Sequence, residues 1–113
     1  MVKIKGQGLA SAAADAVIIG PIDIDRGKCS VSLVSKTDAS GATTPTSPKL
    51  QVSPVDSGDV WVDVPSGSVT PSGTADVVVL TTVLNIMCKR IRVVAAGAFG
   101  ANDATIYLQG VEE

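Results

Sequence analysis

The sequence predicts an all-β protein, an antiparallel β-sandwich or jelly roll of about seven or eight strands with a short N-terminal arm. Three observations lead there. Apolar and polar residues alternate at period two through residues 29–33, 60–64 and 106–108, as in strands with one buried face. Clusters of Gly, Pro, Asp and Ser punctuate the chain every roughly 8–12 residues, a spacing that suits a sandwich or barrel better than a parallel sheet. No stretch sustains the 3.6-residue period of an amphipathic helix.

Val2 and Ile4 open a short strand. Residues 6–14 are rich in Gly, Ala and Ser; the alanines favour one weak helical turn and the glycines oppose it. Residues 1–14 are therefore read as an arm and 15–113 as a single sandwich domain. The arm has too little bulk to anchor itself, so Val2 and Ile4 are expected to dock as an added edge strand on a neighbouring subunit. Residues 17–24 form a strand broken or bulged at Gly20-Pro21, because proline cannot donate to a sheet ladder. Asp25-Arg26-Gly27 turns the chain. Cys29, Val31 and Leu33 then make the inner face of a strand whose outer face is Lys28, Ser30 and Ser32.

Residues 37–48 are almost wholly polar, Gly or Pro and read as a surface loop. Residues 50–64 follow as a hairpin, with Val60, Val62 and Val64 on one face of its second strand and Trp61 and Asp63 on the other. Residues 65–73 are a second loop. Residues 76–86 are apolar without strict alternation, which suggests either a strand buried on both faces or two strands split at Thr81-Thr82. Residues 89–94 alternate, turn at 97–103 and return over 105–111, the pattern of a second hairpin.

A chain of 113 residues fits one domain. Its only aromatics are Trp61, Phe99 and Tyr107, so aliphatic side chains must supply the core at roughly 25 cal/mol per Å² buried. A net charge of -2 and basic residues scattered apart from Lys89, Arg90 and Arg92 leave no footprint for nucleic acid. Asp15 interrupts the N-terminal apolar stretch, and residues 16–20 are too short for an export core or a membrane span, so the chain is expected to be made and kept in cytosol. Cys29 and Cys88 lack the paired spacing of a zinc site and read as two small buried thiols, unbonded in a reducing compartment. With no histidine in the chain, neither has an imidazole base to make it a nucleophile.

Carboxylates fall in turns (Asp25, Asp38, Asp56, Asp59, Asp103) or at the end (Glu112, Glu113), where solvated duty is expected; no enzyme activity and no cofactor is anticipated. Asp23 and Asp25 share a strand-edge face, but two carboxylates supply fewer oxygens than calcium usually takes, and no metal site is assigned. Gly6-Gln7-Gly8 lacks the third glycine and strand-to-helix turn of a dinucleotide site. Trp61 has three readings: core or core rim, interface anchor, and sugar-stacking platform. Arg90 and Arg92 share a strand face that is either solvated or, with Lys89, paired to an acidic neighbour. The candidate interface residues are Val2, Ile4, Trp61, Lys89, Arg90 and Arg92.

The run Thr44-Pro45-Thr46-Ser47-Pro48-Lys49-Leu50-Gln51-Val52-Ser53-Pro54-Val55-Asp56-Ser57-Gly58-Asp59-Val60-Trp61-Val62-Asp63-Val64, followed by Lys89-Arg90-Ile91-Arg92-Val93 and Ala104-Thr105-Ile106-Tyr107-Leu108-Gln109-Gly110, resembles small virion structural proteins of tailed bacteriophages. Those proteins carry a Pro-x-Leu strand, a Ser-Pro-Asp-Gly-type turn, a Trp-x-Asp-Val strand, an arginine-bearing strand and a closing Leu-x-Gly strand. Here Val55 intervenes between Pro54 and Asp56, a departure within the turn. The likeness covers roughly the last two thirds of the chain and is a fold-type pattern that singles out no site. It implies a β-sandwich accessory of the virion, made in the bacterial host cytoplasm. A capsid decoration or cement protein bound to the major capsid protein ranks first, as a homo-oligomer with a trimer favoured, its arm docked on a neighbour or on the shell. A neck, tail-tube or tail-completion protein ranks second. A carbohydrate-binding adhesion module, which would want more exposed aromatics, ranks third.

Overall fold

The computed structural model describes residues 2–9, 16–37, 47–70, 77–95 and 104–112. They form eight strands, β1 (Val2–Leu9), β2 (Val17–Asp23), β3 (Lys28–Thr37), β4 (Lys49–Ser53), β5 (Val62–Ser68), β6 (Val78–Met87), β7 (Arg90–Val94) and β8 (Ala104–Glu112), with no helix among the described residues. Two antiparallel four-stranded sheets, ordered β1-β8-β3-β6 and β2-β7-β4-β5, pack face to face. The pairings are nested: β4 with β5, β3 with β6, β2 with β7 and β1 with β8. Such a ribbon, rolled so that β3 also meets β8 and β4 meets β7, is a jelly roll.

The core between the sheets is aliphatic, as so few aromatics require. Ile24, Leu33, Leu50, Ile91, Ile106 and Leu108 are its largest fully buried members, with Val31, Val93 and Cys29 between them. On β3 every second residue from Cys29 to Thr37 is buried, the alternation expected for Cys29, Val31 and Leu33. β2 is irregular at Gly20-Pro21, a cis peptide that lies within one register shift against β7, between Ile19 and Ile22, and follows another, between Val17 and Ile19. The turn after it is closed by the Gly27 N–H donating to the Ile24 carbonyl. The hairpin in residues 50–64 forms as β4 and β5.

Several expectations need correction. Residues 89–94 and 105–111 are not a hairpin: β7 lies inside one sheet between β2 and β4, and β8 inside the other between β1 and β3. Alternation showed that each is a strand but carried no information on its partner. Residues 76–86 are neither buried on both faces nor split at Thr81-Thr82. β6 is one ten-residue strand at a sheet edge, with Val78, Leu80 and Leu84 on the uncovered outer face. β5 continues through Pro65 to Ser68, into the stretch read as a loop, because an edge strand tolerates a residue with no N–H.

The N-terminal segment belongs in part to the domain. β1 pairs along its whole length with β8 of the same chain, from Val2 opposite Glu112 to Leu9 opposite Thr105, and Ile4 is 3% exposed in the core. Glu112 is likewise not solvated: it is 4% exposed, and its carboxylate accepts the Arg26 N–H at 3.1 Å. Most of the loop at 37–48, the turn at 97–103, residues 10–14 of the arm, Phe99 and Glu113 lie outside the described residues.

Candidate functional site

The outer face of the second sheet carries most of the polar chemistry that the sequence singled out. In register across three strands, Arg92 of β7 stands beside Gln51 of β4, and Gln51 beside Asp63 of β5. Direct neighbours on one face of an antiparallel pair are close enough to bond. The Arg92 Nε donates to the Gln51 carbonyl oxygen at 2.9 Å, and the Gln51 amide donates to Asp63 Oδ1 at 2.9 Å. Lys49 Nζ completes the row with a 3.0 Å ion pair to Asp63 Oδ2. The Gln51 amide first and the Lys49 ammonium second hold the Asp63 carboxyl below the usual carboxylate range.

Trp61 precedes β5 and lies under both arginines, 4.1 Å from its ring centroid to the Arg92 guanidinium carbon and 4.7 Å to that of Arg90. A guanidinium over an indole face is attracted by the ring quadrupole and stacks well because it is planar and weakly hydrated. Arg90 is also tied to the chain before Trp61: its Nε donates to the Val55 carbonyl at 3.1 Å and its Nη2 to the Gly58 carbonyl at 2.7 Å and the Ser53 hydroxyl at 3.2 Å. The two arginines thus fasten residues 53–61 to β7. The indole is half-buried with cations over its face, an arrangement unlike an open sugar-stacking platform.

Lys89 points elsewhere. It lines an open cleft of about 410 Å³ with Asp23, Ile24, Asp25 and Asp56. The cleft brings together the two carboxylates considered for calcium and adds a third, but an ammonium stands in the same space, and among the described residues no group of three or more acidic or thiol side chains has the disposition to hold a metal ion. Cys29 and Cys88 are both buried thiols outside any disulfide. The Cys29 thiol donates to the Cys88 sulfur and holds the Cys88 thiol below its ordinary range, while burial pushes the other way.

The sequence-predicted interface set is therefore dispersed. Trp61, Arg90 and Arg92 meet on one face, Lys89 lines the cleft at one end, Val2 is half-exposed on edge strand β1, and Ile4 is core. The largest apolar exposure lies on β6, where Val78, Leu80, Leu84 and Met87 are 55%, 61%, 67% and 79% exposed. None of these four was singled out, because an unbroken apolar run does not reveal which of its faces is covered. Compared with known proteins, the chain matches no family model, no curated protein and no solved structure.

Proposed function

We propose that this chain is a non-catalytic structural protein of a bacteriophage virion, of the capsid decoration type, which binds the assembled shell and stabilises it. One observation supports the reading above others: the segments that carry the phage resemblance are framework, not a reactive centre. They form β4 and β5, the adjoining β7, and β8 of the facing sheet, and their Trp61, Arg90 and Arg92 bond to one another's surroundings within the chain. The jelly-roll strand order adds a fold-level analogy, since this architecture recurs in viral capsid domains as well as in lectins and cupins.

The mechanism is one of linkage. A protein that binds the closed lattice and not its free subunits shifts the equilibrium toward the lattice by mass action, and needs no cofactor to do so. Its means are strand edges, exposed aliphatic side chains and surface cations such as Lys89.

The test is made on purified particles. A copy number near that of the major capsid protein is expected, and particles stripped of this chain should stay intact but rupture at lower temperature or under milder osmotic shock, with resistance restored when the purified chain is added back. Stripped particles that lose their tails while their shells keep full heat resistance would move the chain to the neck or tail.

A further inference from the structure

We infer that two copies of this chain join edge to edge through β6, antiparallel about a two-fold axis that crosses the strand near Thr81 and Thr82. The inference stands apart from the virion reading and rests on how the four sheet edges differ. The edges are β1 and β6 of one sheet and β2 and β5 of the other. An open edge templates pairing with another strand unless charge, proline or a bulge blunts it. β1 carries exposed Lys3 and Lys5. β2 is irregular at Gly20-Pro21, and β5 contains Pro65 beside Asp63. β6 has no Gly, no Pro and no charge in its ten residues. Its one irregularity, a register shift against β3 between Cys29 and Val31 with Asn85 at positive φ, lies near its C-terminal end and leaves Val78 to Val83 in unbroken register. Its outward row is the most exposed apolar surface among the described residues.

The inward side of β6 is engaged. Thr81 stands opposite Leu33, which is fully buried, and its hydroxyl donates to the Ser66 carbonyl of β5 at 3.1 Å. Val78, Leu80, Thr82 and Leu84 face the other way and are exposed, the Thr82 hydroxyl sharing a 2.9 Å hydrogen bond with that of Ser32 on the same outer face.

Charge identifies the occupant as a second copy. A strand that pairs with itself about a two-fold sets each residue opposite one from the same short segment, so a charge near the axis would meet its like. A neutral strand escapes this cost, and β6 is neutral over its full length. The pleat agrees. Centred on Thr82, the pairing sets Leu80 of one copy opposite Leu84 of the other; centred on Thr81, it sets Val78 opposite Leu84 and Val79 opposite Val83. Either way outward residues meet outward residues, which keeps both inner faces over their own cores. The product is a continuous eight-stranded sheet with the exposed leucines gathered on one side. A threefold ring built from this sheet would instead have to pair β6 with β1, where Lys3 and Lys5 stand guard.

The experiment is sedimentation equilibrium on the full chain across a wide concentration range, with circular dichroism to verify folding. The wild type should dimerise, and the double variant Leu80→Lys, Leu84→Lys should weaken the dimer on the order of 100-fold by placing like charges across the axis. Thr82→Lys should do the same with a smaller change in apolar content. The double variant Leu80→Cys, Thr82→Cys should form a covalent dimer on mild oxidation in either register, joining position 82 to position 82 when the axis passes through Thr82 and position 80 to position 82 when it passes through Thr81, which keeps the inference testable if the lysine variants misfold. Lys3→Glu with Lys5→Glu should leave dimerisation unchanged. A chain that is monomeric at every concentration, a dimer indifferent to the β6 lysines, a Leu80→Cys, Thr82→Cys variant that does not cross-link, or a dimer lost with Lys3 and Lys5 would each overturn it.

Discussion

The Arg92 guanidinium lies 4.1 Å from the Trp61 ring centroid while its Nε bonds Gln51, so one side chain joins the indole to the polar row that crosses three strands. Without the arginines, the chain between β4 and β5 would be held chiefly by its own turns. Arg92→Ala is expected to cost about 1–2 kcal/mol, the sum of one cation–π contact and one charged hydrogen bond at a half-exposed site. Because Trp61 is the sole tryptophan, its fluorescence reports the change directly: emission should shift to longer wavelength in the folded variant. Arg92→Lys should recover only part of the loss, since an ammonium does not stack as a planar guanidinium does. An unshifted spectrum in Arg92→Ala would refute the contact.

Removing residues 1–9 should cripple folding rather than only weaken assembly. The deletion strips β8 of one of its two partners along eight residue pairs and uncovers the bed of Ile4, whose burial alone is worth about 1.5–3 kcal/mol. Thermal unfolding followed by circular dichroism should show a strongly lowered or absent transition. An unchanged midpoint would return the segment to the status of a detachable arm.

Gly110 sits on β8 between β1 and β3, and a Cβ there would run into the Ser30 carbonyl and the Val31 Cα. Backbone atoms within a paired strand cannot move aside as a flexible side-chain end can. Gly110→Ala is therefore expected to destabilise by about 2–3 kcal/mol, the upper part of the range for overpacking a tight site. Urea denaturation measures it, and a loss below half a kcal/mol would contradict the close approach, given that Gly→Ala otherwise tends to stabilise.

The Asp63 carboxyl is held below its ordinary range when folded, so its contribution to stability is complete above the unfolded value of about 3.9 and is lost as pH falls through the lower folded value. Wild type should accordingly exceed Asp63→Asn in stability at about pH 6, and the gap should close toward about pH 3. Lys49→Met should narrow the gap, because it removes the ion pair and leaves only the Gln51 bond. A gap that widens on acidification would reverse the sign and exclude this origin.

Both thiols should resist a water-soluble disulfide reagent in the folded protein and react on unfolding. Cys29 is 0% and Cys88 4% exposed, so neither sulfur presents surface to a reagent in the folded protein although Cys88 borders a surface cleft. Two equivalents released in denaturant and none without it is the expected count. Fast reaction of either in native buffer would show that this corner of the core opens.

Strand identity was legible wherever a strand presents one face to water. β3 is the plainest case: Cys29, Val31 and Leu33 alternate with Lys28, Ser30 and Ser32 because the inner face must be dry and the outer one wet. The irregularity at Gly20-Pro21 was equally readable, since the missing N–H is a property of the residue itself. The candidate site was only half legible. The outward phase of Trp61 and of the two arginines could be counted along the strands, but their convergence depends on β4 lying between β5 and β7, which no local pattern encodes.

Composition and periodicity by themselves determined that this chain is all-β, that its core is aliphatic, and which side chains of most strands point inward, because these follow from chemistry within a few residues of each position. Only the tertiary structure decided that β7 and β8 lie in different sheets, that β1 closes its own domain, and that β6 is an edge. Backbone hydrogen bonds are the same whichever strand supplies them, so pairing is chosen by how the whole ribbon rolls to bury both sheets at once. For the same reason Val78, Leu80 and Leu84, as apolar as any core residue, ended on the outside: the rolled ribbon left no layer to cover them.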